Sequence, residues 1–532
     1  MSKVISKIIK GFYEPAVEED SGEKLKVNSV VGKAAFVYEK IRNAVDYQEE
    51  HLVRKNAIYR ILKRKLLFEK VILENYLLEK YHHENMTRHL IMELMRAGYL
   101  TKDVPLKMVD VVDAIVQKYN KLITKIKETD GRVDRKTYRW LLEMTAVEIE
   151  NALIPSHKEK ALINAMFSVY NPRVEINDLE DKEKELQVYL ACHKALYKWD
   201  DAMLRFLLLN LYYPNWKSPD AKLFVKLSAD INEVRANFDK QLQSSWQKRI
   251  MKVLLKKAII FWILVDVIEN NKNEAEQIFD DPELLEAEIK KAINKRCKGV
   301  RVKLSRGVVR SIIYVFFTKM ILALAIEFPM DWYLLGAVNY FTAAVNIGFP
   351  PVLMFLVAIL IRMPKKENTN AIIEEIKNIA LRDGDGKTFK LKYPLGRGGI
   401  MRFSFNLIYA LTFVFSIIII FWGLYQFGFN VVSSLIFVLF LTLVSFFGIR
   451  IRRPVQDLLT IDRRESIIGS IVDFFALPFV SMGRWMSGKF SKINVVAYFL
   501  DLIIEAPFKL LIEVFEDLFG FIREKKEDVM NE

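Results

Sequence analysis

The sequence lacks charge altogether over residues 403–449, because no Asp, Glu, Lys or Arg stands between Arg402 and Arg450. A Gln-Phe-Gly-Phe-Asn turn at residues 426–430 divides this stretch in two. Each half is long enough to cross the roughly 30 Å hydrocarbon core of a bilayer as a helix. The stretch therefore predicts a transmembrane helical hairpin and excludes a purely soluble protein.

Cysteine is also scarce, since the 532 residues contain only Cys192 and Cys297 and no CxxC pair. This excludes a disulfide framework and is typical of reduced thiols in a cytoplasmic domain. The sequence has no GxxxxGK[ST], HExxH or GxSxG motif either. We therefore expect no cofactor and no metal site, and an enzyme is the less favoured class.

The formal net charge of +14 comes almost entirely from two tracts that contain no acidic residue. The first tract comprises Arg54, Lys55, Arg60, Lys63, Arg64 and Lys65. The second tract comprises Lys295, Arg296, Lys298, Arg301, Lys303 and Arg306, followed by Arg310. Both are candidates for contact with an anionic inner leaflet, although a solvated helix face is the first interpretation of the earlier tract. Nucleic acid is an unfavoured partner, because the second tract directly precedes a predicted membrane span, where basic residues mark the cytoplasmic side.

Residues 29–300 show apolar side chains at spacings of three and four, as in Ile58, Ile61 and Leu62. No pair of alternating runs is joined by a tight turn there, so we predict a cytoplasmic all-helical domain. Residues 1–28 form an amphipathic N-terminal segment and an acidic linker. The apolar face of this segment suits either a helix resting on the membrane or one packed on its own domain.

The transmembrane domain is predicted over residues 301–453. Its four spans lie at about residues 308–328, 347–361, 404–425 and 429–449. Residues 332–361 carry no charge but contain Pro350-Pro351, so a re-entrant or interfacial helix is expected before a short second span. The loop at 362–402 has ten basic and five acidic residues and belongs in the cytoplasm. Both termini are therefore expected in the cytoplasm, and the protein in the cell (inner) membrane.

Residues 454–532 are predicted to form an interfacial and amphipathic helical tail. The segments 467–482 and 495–512 are apolar but short and contain acidic residues, so a six-span arrangement remains an alternative. Residues 507–523 have an apolar stripe on one helical face and an acidic opposite face. This pattern favours packing against another helix, in the same chain, in a second copy or in another membrane protein.

Four polar residues near the predicted spans are candidate functional residues: Lys319, Glu327, Asn339 and Asn346. A charge at the centre of a span is costly, so Lys319 is expected to face the bundle, snorkel or pair with a carboxylate. Glu327 is its candidate partner if the helix continues that far. Asn339 and Asn346 are seven residues apart on one face, which suits either a polar path or bonds to a neighbouring helix.

These patterns together predict an all-α protein with a large cytoplasmic helical bundle, a polytopic α-helical membrane domain and amphipathic C-terminal helices. The expected function is that of a non-enzymatic scaffold, tether or assembly partner. A transporter or channel subunit with a polar path near Lys319 is the alternative. An enzyme that acts on lipids at the inner face comes third.

Overall fold

A computed structural model describes residues 1–13, 23–25, 39, 49–73, 83–101, 103–335, 340–382, 385–392, 399–461 and 467–492. Of these described residues 82% are helical and almost none lie in a sheet, which confirms the all-α class. It divides into two compact units.

The helical unit comprises residues Ser6–Val174 and Leu179–Leu254. After α1 (Lys3–Tyr13), its helices are α2 (Glu50–Leu73), α3 (His83–Arg96), α4 (Lys107–Asp130), α5 (Arg135–Leu153), α6 (His157–Tyr170), α7 (Asp181–Tyr197), α8 (Asp201–Tyr212), α9 (Ala221–Leu242) and α10 (Ser245–Leu255). A 3-10 turn spans Pro214–Lys217. Two short strands, β1 (Lys24–Leu25) and β2 (Val104–Pro105), pair in antiparallel orientation.

Polar caps set the ends of several helices in this unit. The side chains of Asp134, Asp200 and Asp220 accept hydrogen bonds from main-chain N–H groups in the first turns of α5, α8 and α9. Helix α4 ends at Gly131, whose φ of 72° lies in the left-handed region that glycine adopts without strain. The sequence thus encodes these boundaries locally.

Helix α5 is the central helix of the helical unit. It contacts α2, α4, α8 and α9, and most of its residues from Trp140 to Glu150 are buried. A helix covered on several sides must carry apolar residues around most of its circumference. Its few buried polar side chains therefore need partners inside the fold.

The membrane unit comprises Met1–Ile5, Glu175–Asp178 and Leu255–Tyr498. Its helices are α11 (Ala258–Asn270), α12 (Ala275–Asp280), α13 (Pro282–Leu322), α14 (Phe328–Leu335), α15 (Tyr340–Ile359), α16 (Lys366–Leu381), α17 (Gly399–Gln426), α18 (Val431–Gln456) and α19 (Ile467–Lys492). A π-helical turn, Ala323–Glu327, joins α13 to α14. Strands β3 (Val174–Glu175) and β4 (Phe389–Lys390) form a second small sheet.

Four stretches of helix in the described residues are long and apolar enough to cross a membrane. They are Pro282–Met330, Tyr340–Ile359, Phe403–Gln426 and Val431–Gln456. Their number equals that of the four spans favoured by the sequence. The second begins at Tyr340 rather than at residue 347, because Pro350 and Pro351 lie inside α15 and do not interrupt it.

Helix α13 continues without a break from its cap at Asp281 to Leu322. The side chain of Asp281 accepts hydrogen bonds from the main-chain N–H groups of Glu283 and Leu284. The hydrophilic half of α13 packs with α11, α12 and α16 in the same unit as the apolar helices. Residue 300, the predicted end of the cytoplasmic domain, therefore lies in the middle of a helix, and the longest segment of the membrane unit begins at Leu255.

The N terminus contributes to the membrane unit. The main-chain N–H of Ser2 donates to the carbonyl of Ala380 at 2.8 Å, and the N-terminal ammonium lies 2.6 Å from an Asp280 carboxylate oxygen. Ile5 is fully buried. Of the two placements considered for this segment, the contacts favour packing on the protein.

Helix α19 is one helix of 26 residues and extends beyond the segment 467–482. A Cβ on Gly483 would lie 2.4 Å from the carbonyl oxygen of Thr442 in α18. Thr442 lies inside the charge-free stretch, so α19 packs beside the apolar part of α18. The prediction of an interfacial tail over residues 454–532 did not include this contact. The predicted segments 495–512 and 507–523 lie outside the described residues.

Candidate functional site

The π-helical turn, Ala323–Glu327, has a local cause in the sequence. Pro329 has no N–H to donate to the carbonyl of Ala325, and its ring crowds that carbonyl. The N–H of Phe328 instead donates to the carbonyl five residues earlier, at Ala323, which defines a π turn. The wider turn takes up one extra residue and rotates the residues around it relative to α13.

This rotation brings Lys319 and Glu327 together. Eight residues on an ideal helix leave an offset of about 80° after two turns, at 3.6 residues per turn. The extra residue of the π turn removes most of that offset. The Lys319 Nζ forms a short ion pair with Glu327 Oε1, and the two side chains are 0% and 2% exposed.

Two further helices complete the intramembrane cluster, which we define as Lys319, Glu327 and Asn346. Asn346 of α15 donates from Nδ2 to Glu327 Oε2 at 2.7 Å, and the same Nδ2 lies 3.5 Å from the carbonyl oxygen of Ser433 in α18. The ring of Phe440, also in α18, has its centroid 5.1 Å from Lys319 Nζ. Both carboxylate oxygens of Glu327 are thus engaged by donors from different helices.

An apolar core lies beside the cluster. Val315, Met354, Phe440 and Val444 form a buried core among α13, α15 and α18. Removal of a charge pair from water into such surroundings is costly and is offset only by good geometry and additional hydrogen bonds. The pair and its Asn346 bond meet that condition, so the cluster is electrically neutral and closely bonded.

One atom in the cluster has no partner. Asn346 is 1% exposed, and none of the described residues donates a hydrogen bond to its Oδ1. The orientation of the amide is set by its neighbours, because both groups near Nδ2 are acceptors. Asn339, the fourth candidate residue, lies outside the described residues.

The structure gives most cations of the first basic tract partners inside the helical unit. Arg54 pairs with Glu150 at 2.7 Å, Arg60 with Glu39 at 3.3 Å and Arg64 with Glu93 at 2.5 Å. Lys55 is 4% exposed and pairs with Asp200. These four side chains form ion pairs within the fold, and contact of the first tract with an anionic leaflet stays a prediction. Lys63 is exposed, and the side chain of Lys65 is outside the described part of the chain.

The second basic tract is divided between structural and free side chains. Arg296 pairs with Asp266 at 2.7 Å, and Lys295 donates to Asn270 Oδ1 at 2.8 Å. The remaining four side chains are exposed and form no ion pair with any described residue: Lys298, Arg301, Lys303 and Arg306. We call these four residues the basic collar of α13, because they lie just before its apolar part.

Sequence reasoning missed a buried polar network in the helical unit. Lys118 Nζ binds Glu148 Oε1 and donates to the carbonyl of Trp216 at 3.2 Å. Glu148 Oε2 accepts from Tyr119 at 3.0 Å and from the indole N–H of Trp216 at 3.1 Å. The signal in the sequence is limited to the polar residues Lys118, Tyr119 and Glu148, which occupy helix faces that are otherwise apolar and buried.

Comparison with protein-family models, with curated proteins and with solved structures found no match.

Proposed function

We propose that this protein is a multi-pass membrane scaffold or tether that presents its helical unit in the cytoplasm for assembly with other proteins. The observation that carries the proposal is the continuity of α13, a single helix from Pro282 to Leu322. Its first half is held by α11, α12 and α16, and its second half packs on α15 and α18. Such a helix is a stiff connection between the hydrophilic helices of the membrane unit and its apolar helices.

Contact of the basic collar with anionic headgroups is the lipid interaction that we propose. Charges near the membrane surface attract anionic lipid by about 1 kcal/mol each, and they do so only where no carboxylate neutralises them. This condition favours the collar over the first tract. Basic residues near membrane spans tend to lie on the cytoplasmic side. We therefore place the protein in the cell membrane with both termini in the cytoplasm.

The scaffold proposal is tested by breaking α13 at Gly299. A Cβ at this position meets open space, so Gly299→Ala keeps the helix, whereas Gly299→Pro kinks it. We expect proteins that co-purify stoichiometrically with the wild-type chain from native membranes to be retained by the alanine variant and lost from the proline variant. Equal recovery with the proline variant would contradict the proposal.

The lipid contact is tested by replacing Lys303 and Arg306 with Gln. We expect the purified variant to retain less phosphatidylglycerol relative to phosphatidylcholine, as measured by native mass spectrometry. Added salt should weaken the wild-type preference, because exposed charges are screened. Replacement of the exposed Lys387 and Lys390 with Gln is the matched control and should leave the preference unchanged.

A transporter or channel subunit is the second candidate function, and a specific observation favours it. The intramembrane cluster joins three helices around a lysine and a glutamate, and intramembrane charges commonly mark transport paths. Ion flux into liposomes that contain the purified protein, lost on Lys319→Leu, would support transport and overturn the scaffold proposal. Absence of flux together with loss of partners from Gly299→Pro supports the scaffold.

A further inference from the structure

Helix α19 has one buried face and one exposed face. The buried face comprises Phe479, Val480, Gly483 and Met486. Exposed residues recur on the opposite side at spacings that keep them on one helical face. They are Phe474, Leu477, Ser481, Arg484 and Trp485. We call these five residues the open face of α19.

The open face lies beside the middle of α18. Gly483 packs against Thr442, and the Sδ of Met486 lies 3.6 Å from the Oγ1 of Thr442. Thr442 is the twelfth of the 26 residues of α18 and lies in the charge-free stretch. Phe440, two residues earlier, contacts the intramembrane cluster. Arg484 follows Gly483 directly, so it begins at the depth of that cluster.

Arg484 is exposed at this depth and forms no ion pair, hydrogen bond or ring contact with any described residue. An unpaired charge beside the hydrocarbon is costly. The charge-free stretch ends at Arg450, eight residues after Thr442. Eight helical residues extend about 12 Å, so bending of the arginine side chain towards the inner surface covers only part of the way.

The described part of the membrane unit offers Arg484 no carboxylate. Asp473 is in the same helix but eleven residues earlier. At 1.5 Å per residue that separation is about 16 Å, which is too far for an ion pair. Glu327 is 2% exposed and already engaged by Lys319 and Asn346. The counter-charge of Arg484 therefore has to come from outside these residues.

A second copy of the chain is a poor source of that charge. Two copies in one membrane have the same orientation, and a two-fold axis along the membrane normal places equivalent residues at the same depth. Contact between two open faces would bring Arg484 against Arg484. Like charges at an interface repel each other, so this surface does not complement itself.

We propose that the open face of α19 binds a transmembrane helix of another membrane protein, and that this helix carries an aspartate or a glutamate near its middle. The guanidinium of Arg484 donates two parallel hydrogen bonds to the carboxylate. Ser481 lies one turn away and allows the two backbones to approach closely, because small residues favour helix contacts in membranes. This inference rests on the proposed function, an assembly partner in a membrane, and names the chemistry of one partner.

The pairing follows the rule that the protein applies to its own intramembrane charge. Lys319 and Glu327 neutralise each other among apolar helices. A helix with a central carboxylate has the same need as Arg484, because each charge alone is costly in hydrocarbon. Association satisfies both charges at once, and it disfavours wholly apolar helices, which would leave Arg484 unpaired.

The experiment uses the purified full chain in phosphatidylcholine liposomes with a synthetic transmembrane helix as the probe. The probe has about 20 apolar residues with a glutamate at the centre, and matched helices carry glutamine or leucine there. Energy transfer from the tryptophans of the protein to a dye on the probe measures association. We expect the glutamate helix to bind about tenfold more tightly than the glutamine helix, and the leucine helix not to bind.

Two variants and a control locate the interaction. Arg484→Leu should lose the preference for the glutamate helix, whereas Arg484→Lys should keep it because the charge is retained. Arg453→Leu is the control, since Arg453 is exposed at the inner end of α18 and away from the open face. Arg484 has no partner within the described chain, so Arg484→Leu should not lower the unfolding temperature of the protein alone. This second readout separates loss of binding from loss of folding.

The proposal is overturned if the wild type does not distinguish the glutamate helix from the glutamine helix, or if Arg484→Leu distinguishes them equally well. Binding that appears only after Asp501→Asn would overturn it too, because the chain's own carboxylate would then be the partner. Disulfide-linked dimers of a Trp485→Cys chain without other cysteines, formed in native membranes, would show that a second copy covers the face. None of these results changes the Gly299→Pro test, so the scaffold proposal stands or fails separately.

Discussion

Buried charge is handled in the same way in both units of the protein. In the helical unit Lys118 pairs with Glu148, and in the membrane unit Lys319 pairs with Glu327. In each pair the second carboxylate oxygen accepts a hydrogen bond from another element: Trp216 in the first case and Asn346 in the second. Full satisfaction of both oxygens offsets the loss of hydration.

The Lys118–Glu148 pair should therefore be sensitive to loss of one partner. Glu148→Ala leaves an uncompensated buried ammonium, and we expect a destabilisation of about 3–5 kcal/mol. The control is Glu128→Ala, in the exposed Lys125–Glu128 pair, where the cost should be below about 1 kcal/mol. Thermal unfolding of the full chain in detergent, followed by tryptophan fluorescence, measures both. Similar shifts for the two variants would contradict the assignment.

Glu159 should make stability depend on pH near neutrality. Burial, with a contribution from Glu150, raises the pKa of Glu159 from its usual 4.5 to about 7, although Arg54 and Ser156 act in the opposite direction. Between these two pKa values the folded state holds a proton that the unfolded state has released. Stability from this group is therefore complete at low pH and is lost as the pH rises towards 7.

Replacement of Glu159 by Gln removes this dependence. We expect the unfolding temperature of the variant, relative to that of the wild type, to be higher at about pH 8 than at about pH 5. Glu128→Gln on the exposed surface is the matched control and should show no such change between the two pH values. If the unfolding temperatures of Glu159→Gln and wild type differ by the same amount at both pH values, the pKa of Glu159 is not raised by burial.

At the scale of elements, small residues at helix contacts decide how closely the apolar helices pack. Gly483 allows α19 to approach the main chain of α18, where a Cβ would lie 2.4 Å from the Thr442 oxygen and 2.7 Å from the Cβ of Phe446. Gly423 in α17 has open space instead. The same substitution at the two glycines should thus have different effects.

We expect Gly483→Ala to separate α19 from α18. The contact can be followed by disulfide cross-linking of a Thr442→Cys, Met486→Cys pair, since Thr442 Oγ1 lies 3.6 Å from Met486 Sδ. Cross-linking should fall in the Gly483→Ala background and remain unchanged in the Gly423→Ala background. Unchanged cross-linking in both would mean that the helices are not in close contact at this residue.

At the scale of the whole molecule, the order of four apolar helices predicts the sides on which exposed residues lie. Gln426 ends α17 and Gln456 ends α18, and both side chains are exposed. If α18 crosses the membrane once, these two glutamines lie on opposite sides. The positive-inside tendency places Gln426 outside, because Arg450, Arg452 and Arg453 precede Gln456.

Cysteine labelling tests this arrangement in a chain whose Cys192 and Cys297 are replaced by Ser. We expect an impermeant maleimide to modify Gln426→Cys in intact cells and Gln456→Cys only after permeabilisation. Labelling of both from one side would contradict a single crossing by α18. The reverse pattern would keep the crossing but overturn the orientation.

The sequence by itself determined the helical class and predicted the four apolar helices found among the described residues. These follow from local periodicity and from the absence of charge over residues 403–449, which no tertiary contact can alter. It also singled out Lys319 and Glu327, because a charge among apolar residues is costly wherever the helix lies.

Only the tertiary structure decided which groups meet. The Lys319–Glu327 pair depends on the π turn before Pro329, and Asn346 and Phe440 join it from helices distant in sequence. Likewise, Arg54 and Lys55 belong to a basic tract in the sequence but to ion pairs with Glu150 and Asp200 in the fold. The physical reason is that a charge pattern records where charges lie along the chain, whereas partners are set by long-range packing.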